Sequence, residues 1–229
     1  MITQAIQDYL KIIFKLSAND RSVTTNAIAE KLDVSQASVT GMIKKLAEIK
    51  LISHTPYHGV ELTAAGRKIA LEIIRHHRLL ELYLAEALGY TWDQVHDEAE
   101  KLEHVISEEF EDKVAEFLGH PTTDPHGAPI PTKEGEINER DLVPLTATEV
   151  GQRVKIEQVS DKDPEMLRYL GDIGIFPAVV VEVMEKAPFD GPLLIKIGEA
   201  QHYLGQVLTN NILISHIQSN HSSAALLKN

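Results

Sequence analysis

At 229 residues, with a formal charge of −12, eleven histidines and no cysteine, the chain is long enough for two domains but excludes disulfides, thiolate metal sites and a cysteine nucleophile. Imidazole and carboxylate are then the available metal-ligand set. No apolar run approaches the ~20 residues that span a bilayer, and Gln4, Gln7, Asp8, Lys11 and Lys15 interrupt the N-terminal stretch, so the expectation is a cytoplasmic protein with no membrane partner.

The charge is unevenly spread. Residues 1–70 carry nine Lys/Arg against six Asp/Glu, about +3, which leaves 13 against 28, about −15, for the remainder. A mildly basic head on an acidic body is compatible with DNA contact through the head.

Residues 4–17 place Ile6, Tyr9, Leu10, Ile13 and Leu16 at helical spacing, with Asp8, Lys11 and Lys15 on the opposite, polar face. Thr24 or Thr25 caps a short helix bearing Ile28, Ala29 and Leu32. Ser35 caps a third helix, in which Val39, Ile43 and Leu46 recur every three to four residues. LISHTPYHGVELT then alternates about a His58-Gly59 turn, as a β-hairpin does. Helix, short helix, turn, helix and hairpin is the winged helix-turn-helix order. The third helix, about residues 36–48, is expected in the major groove of double-stranded promoter DNA. Thr25, Ser35, Gln36, Ala37, Ser38 and Thr40 would lie near phosphates or base edges, and Lys44 and Lys45 near the backbone. Gly41 inside this helix costs roughly 1 kcal/mol against alanine and suggests close approach to another surface.

Thr63 caps a long helix ending at Gly89, and Thr91 a second ending at Gly119. Their apolar positions, among them Leu71, Ile74, Leu82, Leu88, Val95, Leu102, Val105, Phe110 and Val114, exceed what one hairpin needs and imply a homodimer. Residues 120–142 hold four of the ten prolines and read as an extended connector. Beyond it, VKIEQV, AVVVEVME, LLIKIG, HYLGQVL and ILISHI are short β-rich runs, interrupted by one helical piece, DPEMLRYLGDIG. The expected fold is mainly α with a small β domain: a winged helix-turn-helix over 1–63, a helical dimerisation and metal-binding segment with its connector over 64–142, a small β-barrel over 143–218 and a tail over 219–229.

The chemistry-bearing pattern lies in the second long helix. His96, Glu100, Glu103 and His104 stand at i, i+4, i+7 and i+8, within about 100° of arc on one helix face. His77 and Glu81 are i, i+4 on the preceding helix, and Asp8 is on the first. The group is dense enough for two metal sites, one from Asp8, Glu100, Glu103 and His104, the other from His77, Glu81 and His96, the alternative being a charged helix face that is merely solvated. Neither has the His-Glu-x-x-His spacing of a zinc hydrolase or the paired Glu-x-x-His of a di-iron bundle, so no enzyme is indicated. The rival readings are a metalloenzyme or metal store built on the same stripe, and a winged-helix regulator that senses a small organic effector.

HDEAEKLEHVIS at 96–107, RHHRLLELYL at 75–84, AIQDYLKIIF at 5–14, PHGAPIP at 125–131 and DKDPEMLRYLGDIGI at 161–175 resemble the diphtheria toxin repressor family of iron- and manganese-dependent regulators. The resemblance implies that Asp8, Glu100, Glu103 and His104 match the activating metal site and that His77, Glu81 and His96 match the ancillary one. It further implies that the C-terminal domain is SH3-like and adds ligands to the ancillary site, the nearest candidates being Asp161, Asp163 and Glu165. Asp124 and His126 lie where some relatives also draw ligands. Iron-responsive members have methionine and cysteine where this chain has Asp8 and Glu100, whereas the manganese-responsive branch has carboxylates. The expectation is therefore a repressor of metal-uptake genes with Mn²⁺ as co-repressor, and Fe²⁺ as the alternative.

Overall fold

The computed structural model describes residues 2–17, 23–55, 59–138 and 140–217. They form two compact units, one of residues 1–125 and 129–139, the other of residues 126–128 and 140–229. The expected tail and His58 of the hairpin turn lie outside the described residues.

The first unit opens with α1 (Gln4–Ser17), α2 (Thr25–Leu32) and α3 (Gln36–Glu48), followed by the antiparallel hairpin β1 (Ile52–Thr55) and β2 (Gly59–Leu62), in which Ile52 pairs with Leu62. Local chemistry sets these boundaries. Thr24 Oγ1 accepts from Ala27 N, and Ser35 Oγ accepts from Ser38 N, each satisfying an amide that the first helical turn leaves open. The helices bury one face each, through Ile6, Leu10 and Ile13 of α1, Ile28 of α2, and Val39, Ile43 and Leu46 of α3, around a single core.

Helix α4 (Ala64–Leu88) joins this head to the rest of the unit. Thr63 caps it, and Gly89 ends it at φ 75°, as its sequence signals require. Leu71 and Ile74 belong to the head core, while Leu80 and Leu84 pack against Val95 and Ala99, and Leu79 packs with Val114, Ala115 and Ile130. At Gly66 the helix passes so close to the chain before the hairpin that a β-carbon would lie 2.0 Å from the Leu51 carbonyl oxygen.

The second long helix expected from the sequence is two helices, α5 (Val95–Leu102) and α6 (Glu108–Phe117). The expected Thr91 cap is also displaced, since α5 begins after Gln94 with no side-chain cap. The break has a physical cause in Ser107, whose Oγ accepts from Phe110 N and starts a new helix with Glu108, Glu109 and Glu111 in its first turn, where carboxylates suit the helix dipole.

The second unit is a six-stranded antiparallel sheet in the order β3-β8-β4-β5-β6-β7. Its strands are β3 (Val143–Pro144), β4 (Arg153–Val159), β5 (Val180–Lys186), β6 (Leu193–Ile197), β7 (Ala200–Leu204) and β8 (Ile212–His216). Val154, Ile156, Val181, Val183, Ile195, Ile212 and Ile214 alternate inward to form its core, and register shifts after Ile156 and Val183 bend the sheet. The expected helix is α7 (Pro164–Asp172). The run HYLGQVL, expected to be strand throughout, divides at Gly205 into β7 and the short helix α8 (Gln206–Asn210).

Candidate metal centre

Glu103 is the hub of a buried cluster in the first unit. It is fully buried and caps the C-terminus of α5, and His104 follows it in the turn before α6. Glu103 keeps helical backbone angles (φ −56°, ψ −25°) and donates its N–H to the Ala99 carbonyl, so it continues the α5 face that Glu100 presents to His77, and His104 lies in the turn that follows.

Asp8 comes from α1. Its Oδ1 lies 2.9 Å from His104 Nε2, and that nitrogen is 3.2 Å from Glu103 Oε1, so one nitrogen and two carboxylates converge within 4.8 Å of one another. His104 Nδ1 is 2.9 Å from Gln7 Oε1, an acceptor, so Nδ1 carries a proton and donates it. Nε2 is thereby aimed at the two carboxylates, the arrangement a metal-ligating imidazole needs. Gln7 was not among the site residues named from the sequence, where its only signal is that it precedes Asp8 on α1. Burial raises the Asp8 carboxyl pKa, with His104 pulling it down and Glu103 pushing it up.

Lys11 is drawn into the cluster. It was placed on the polar face of α1, yet it is buried, and its Nζ donates to both Glu103 oxygens at 2.8 Å and to Glu100 Oε2 at 2.7 Å. Burial alone would lower its pKa, but the carboxylates of Glu103 and Glu100 outweigh that and raise it, so the ammonium stays charged. Glu100, half exposed, thus belongs with Lys11 and His77 rather than with the Asp8 cluster. Burial raises its pKa and Lys11 lowers it, with a net decrease.

His77 on α4 joins this cluster to a second one. Its Nδ1 is 2.6 Å from Glu103 Oε2, and its Nε2 is 3.0 Å from Glu81 Oε1 and 3.1 Å from His96 Nδ1. His96 Nδ1 is in turn 3.2 Å from Glu81 Oε1. His77, Glu81 and His96 are therefore together, as their spacing on the two helices predicts. Burial disfavours the His77 imidazolium, but Glu81 and Glu103 overcome that and carry its pKa up to about 9.

An outer layer fixes the hub. His76 Nδ1 donates to the Glu103 backbone carbonyl at 3.0 Å, and its Nε2 lies 3.0 Å from Glu111 Oε2. Arg75 pairs with Glu111 and donates to the Pro131 carbonyl at 2.8 Å. Asp124, also in this unit, faces Arg78 Nε at 3.6 Å. His126, Asp161, Asp163 and Glu165 belong to the second unit. There the His126 carbonyl accepts from Val159 N, and the Asp163 carboxylate is engaged as the cap of α7, accepting from Glu165 N and Met166 N.

On α3, Gln36, Ala37, Ser38, Thr40, Lys44 and Lys45 are exposed, as is the capping Ser35, while Thr25 on α2 is half-buried. The Ser35 and Ser38 hydroxyls bond each other at 2.9 Å, and Thr40 Oγ1 donates to the Gln36 carbonyl. Among the described residues, no atom outside its own helix turn comes within 4 Å of a β-carbon built at exposed Gly41, so none of them makes the close approach it suggested.

Residues 1–60 match the family model for the iron-dependent repressor N-terminal DNA-binding domain, 63–132 that for the iron-dependent repressor metal-binding and dimerisation domain, and 143–216 the FeoA domain. The diphtheria toxin repressor of Corynebacterium glutamicum is 30% identical over 189 residues, covering 78% of this chain and 82% of that protein. The chain belongs to the diphtheria toxin repressor family. Other members include the iron-dependent repressor IdeR of Mycobacterium tuberculosis, 29% identical over 221 residues, with 91% of this chain and 96% of IdeR covered. A solved structure of a manganese-dependent transcriptional repressor in complex with manganese is 38% identical, covers 93% of this chain and all of its own, and superposes with a TM-score of 0.84. This member of the family is accordingly a metal-dependent, DNA-binding repressor with a dimerisation domain, an SH3-like C-terminal unit and, among the described residues, no helix long and apolar enough to cross a membrane.

Proposed function

We propose that this repressor is manganese-responsive, that Mn²⁺ is its co-repressor, and that the activating ion is held by Asp8, Glu103 and His104, with Glu100 at the edge of the site. The observation that carries the reading is the convergence of donors from α1 and from the α5–α6 turn on one point within 4.8 Å. The donors fit the ion: two carboxylates and an imidazole already oriented by Gln7, with no sulfur. His77, Glu81 and His96 are the second candidate set. A bound divalent ion supplies positive charge and coordination bonds that favour the arrangement in which these donors converge.

The chain's own residues do the rest. Asp8 lies one turn of α1 from residues in the head core, so its position against His104 fixes the orientation of that core and of α3 packed in it. The exposed N-terminal end of α3, with Gln36, Ala37 and Ser38, faces DNA, while Lys44 and Lys45 contact phosphates. Phe110 and Phe117, 41% and 66% exposed, stack edge-on against Tyr83 and, with Val105 and Leu88, supply an apolar face for a second copy. A two-fold dimer matches a palindromic operator.

Fe²⁺ is the alternative ion, which the iron-dependent mycobacterial relatives favour. The test is fluorescence-anisotropy binding of metal-stripped protein to palindromic promoter duplexes, with Mn²⁺, anaerobic Fe²⁺ or neither, at fixed salt. Asp8→Asn should retain its fold and lose the metal response. Equal binding with and without metal, or a full response in Asp8→Asn, overturns the assignment.

A further inference from the structure

Among the described residues, two glycines sit inside helices of the first unit, and the fold requires only one of them. At Gly66 a β-carbon would lie 2.0 Å from the Leu51 carbonyl oxygen, so the chain itself excludes a larger residue. At Gly41 no described residue outside its own helix turn comes within 4 Å of such a carbon, φ is not left-handed, and the position is exposed in the interior of α3. Glycine weakens a helix interior more than any residue except proline. A residue that costs stability and fills no tight space in its own chain calls for a second molecule.

Its place on α3 identifies that molecule. At about 100° per residue, Gly41 lies roughly 200° round the helix from Val39, nearly opposite the buried Val39, Ile43 and Leu46. Exposed Ala37 precedes it on the same outward line, and exposed Lys44 and Glu48 follow. The hydroxyls on either side are turned along the helix: Ser38 Oγ is 2.9 Å from Ser35 Oγ, and Thr40 Oγ1 donates to the Gln36 carbonyl at 2.8 Å. The first turns of α3 thus present a low ridge of backbone and one methyl, whereas the last carries long side chains, one of them acidic. Residues 1–60 match a DNA-binding domain, and a helix about 10–12 Å across with its side chains already fills a major groove about 12 Å wide and 8.5 Å deep. What stands on the outward line then sets how deep the helix goes.

We propose that Gly41 is a positioning residue for DNA: by leaving the outward line of α3 bare, it lets the backbone of the first turns approach the floor of the major groove, so that side chains as short as Ala37 and Ser38 reach base edges. The N-terminal half of α3 goes deepest, and Glu48 stays clear of the phosphates. This rests on the placement of α3 against DNA given above. The glycine then serves sequence discrimination at the expense of stability.

The test uses Gly41→Ala and Gly41→Leu in the full chain, with Lys44→Ala as a marker of contact by α3. Each is titrated, with Mn²⁺ in excess and at several salt concentrations, against the palindromic promoter duplex that the parent binds most tightly and against a scrambled duplex of equal length. Alanine and leucine are both strong helix formers, so Gly41→Ala and Gly41→Leu should each raise the melting temperature by about 2–4 °C. Gly41→Ala should bind the palindrome about tenfold more weakly and Gly41→Leu about tenfold more weakly again, while binding to the scrambled duplex, which phosphate contacts supply, changes less than about threefold. Lys44→Ala should weaken binding to both duplexes and reduce the salt slope by about one. Equal losses in Gly41→Ala and Gly41→Leu would mark a hinge in α3 and overturn the inference. So would a lowered melting temperature, or Gly41→Leu binding the palindrome within about twofold of the parent. If Lys44→Ala behaves as expected in those cases, α3 still meets DNA and only the role of Gly41 falls; if Lys44→Ala changes neither affinity nor salt slope, the placement of α3 falls with it.

Discussion

Glu103→Gln separates the two tasks that converge on one carboxylate. The change is nearly isosteric, but it removes the negative charge that both Glu103 oxygens present to Lys11 at 2.8 Å and that Oε2 presents to His77 at 2.6 Å. Half-exposed Glu100 would be left as the main counter-charge for a buried ammonium. Removing one partner of a buried ion pair costs about 3–5 kcal/mol, and in a chain of this size each kcal/mol shifts the melting temperature by roughly 2–4 °C. The metal-stripped variant should therefore melt on the order of 6–20 °C below the parent protein. Asp8→Asn provides the contrast, because Asp8 is 31% exposed at its side chain and pairs with His104 at the rim, an interaction worth about 0–1 kcal/mol. Thermal unfolding of both variants by circular dichroism in excess chelator, with metal-stimulated DNA binding measured alongside, gives the comparison. Both should lose the metal response, and Glu103→Gln alone should lose substantial stability. If Glu103→Gln melts within 2 °C of its parent, the buried charge network described here is not what holds α1 to the turn.

Gln7→Ala removes the acceptor that orients His104 and should weaken Mn²⁺ binding about 10–100-fold with little change in melting temperature, as measured by competition titration against a chelating dye; unchanged affinity would dismiss the orienting role. Ser107→Ala removes the cap of α6 and should cost about 1 kcal/mol in urea unfolding, with Ser107→Asp recovering it. The Glu111 carboxyl, raised by burial but lowered further by its bonds to His76 and Arg75, has a folded pKa below its ordinary value. Its contribution to stability is thus complete above the usual carboxylate range and is lost as pH falls through the lowered folded value. Urea midpoints measured between neutral pH and about pH 3 should fall less steeply in Glu111→Gln, and parallel curves would exclude the linkage.

Local signals carried the sequence reading furthest. Thr24, Ser35 and Thr63 announce helix starts because a cap acts on amides two or three residues away, and Gly89 announces a stop because its positive φ suits few other residues. The head, with its periodic Ile, Val and Leu, was legible for the same reason. The break after Leu102 was not read, although Ser107 followed by Glu108 and Glu109 is a start signal, because helical spacing of charged residues continues across it. Asp8, Glu103, His104, His77, Glu81 and His96 were each named from the sequence. They were also grouped from the sequence much as they stand, and what spacing did not show is the link that Lys11 makes between Glu100 and Glu103. A lysine beside polar residues on an amphipathic helix reads as solvated, and only the fold brings it to carboxylates some ninety positions later.

The turn after α5 also bears on how this centre can be copied. A synthetic peptide spanning His96–Ser107 would contain most of the ligands and, coiled as one continuous helix, would offer His96, Glu100 and His104 in a row along one side. That row is a different chelator from the one in the protein, where the chain turns after Glu103 and where Asp8 and Gln7 arrive from another helix. A transplant of the binding site into another scaffold must carry the bend and the first helix together, and affinities measured on the excised segment would describe a ligand that the intact chain never presents.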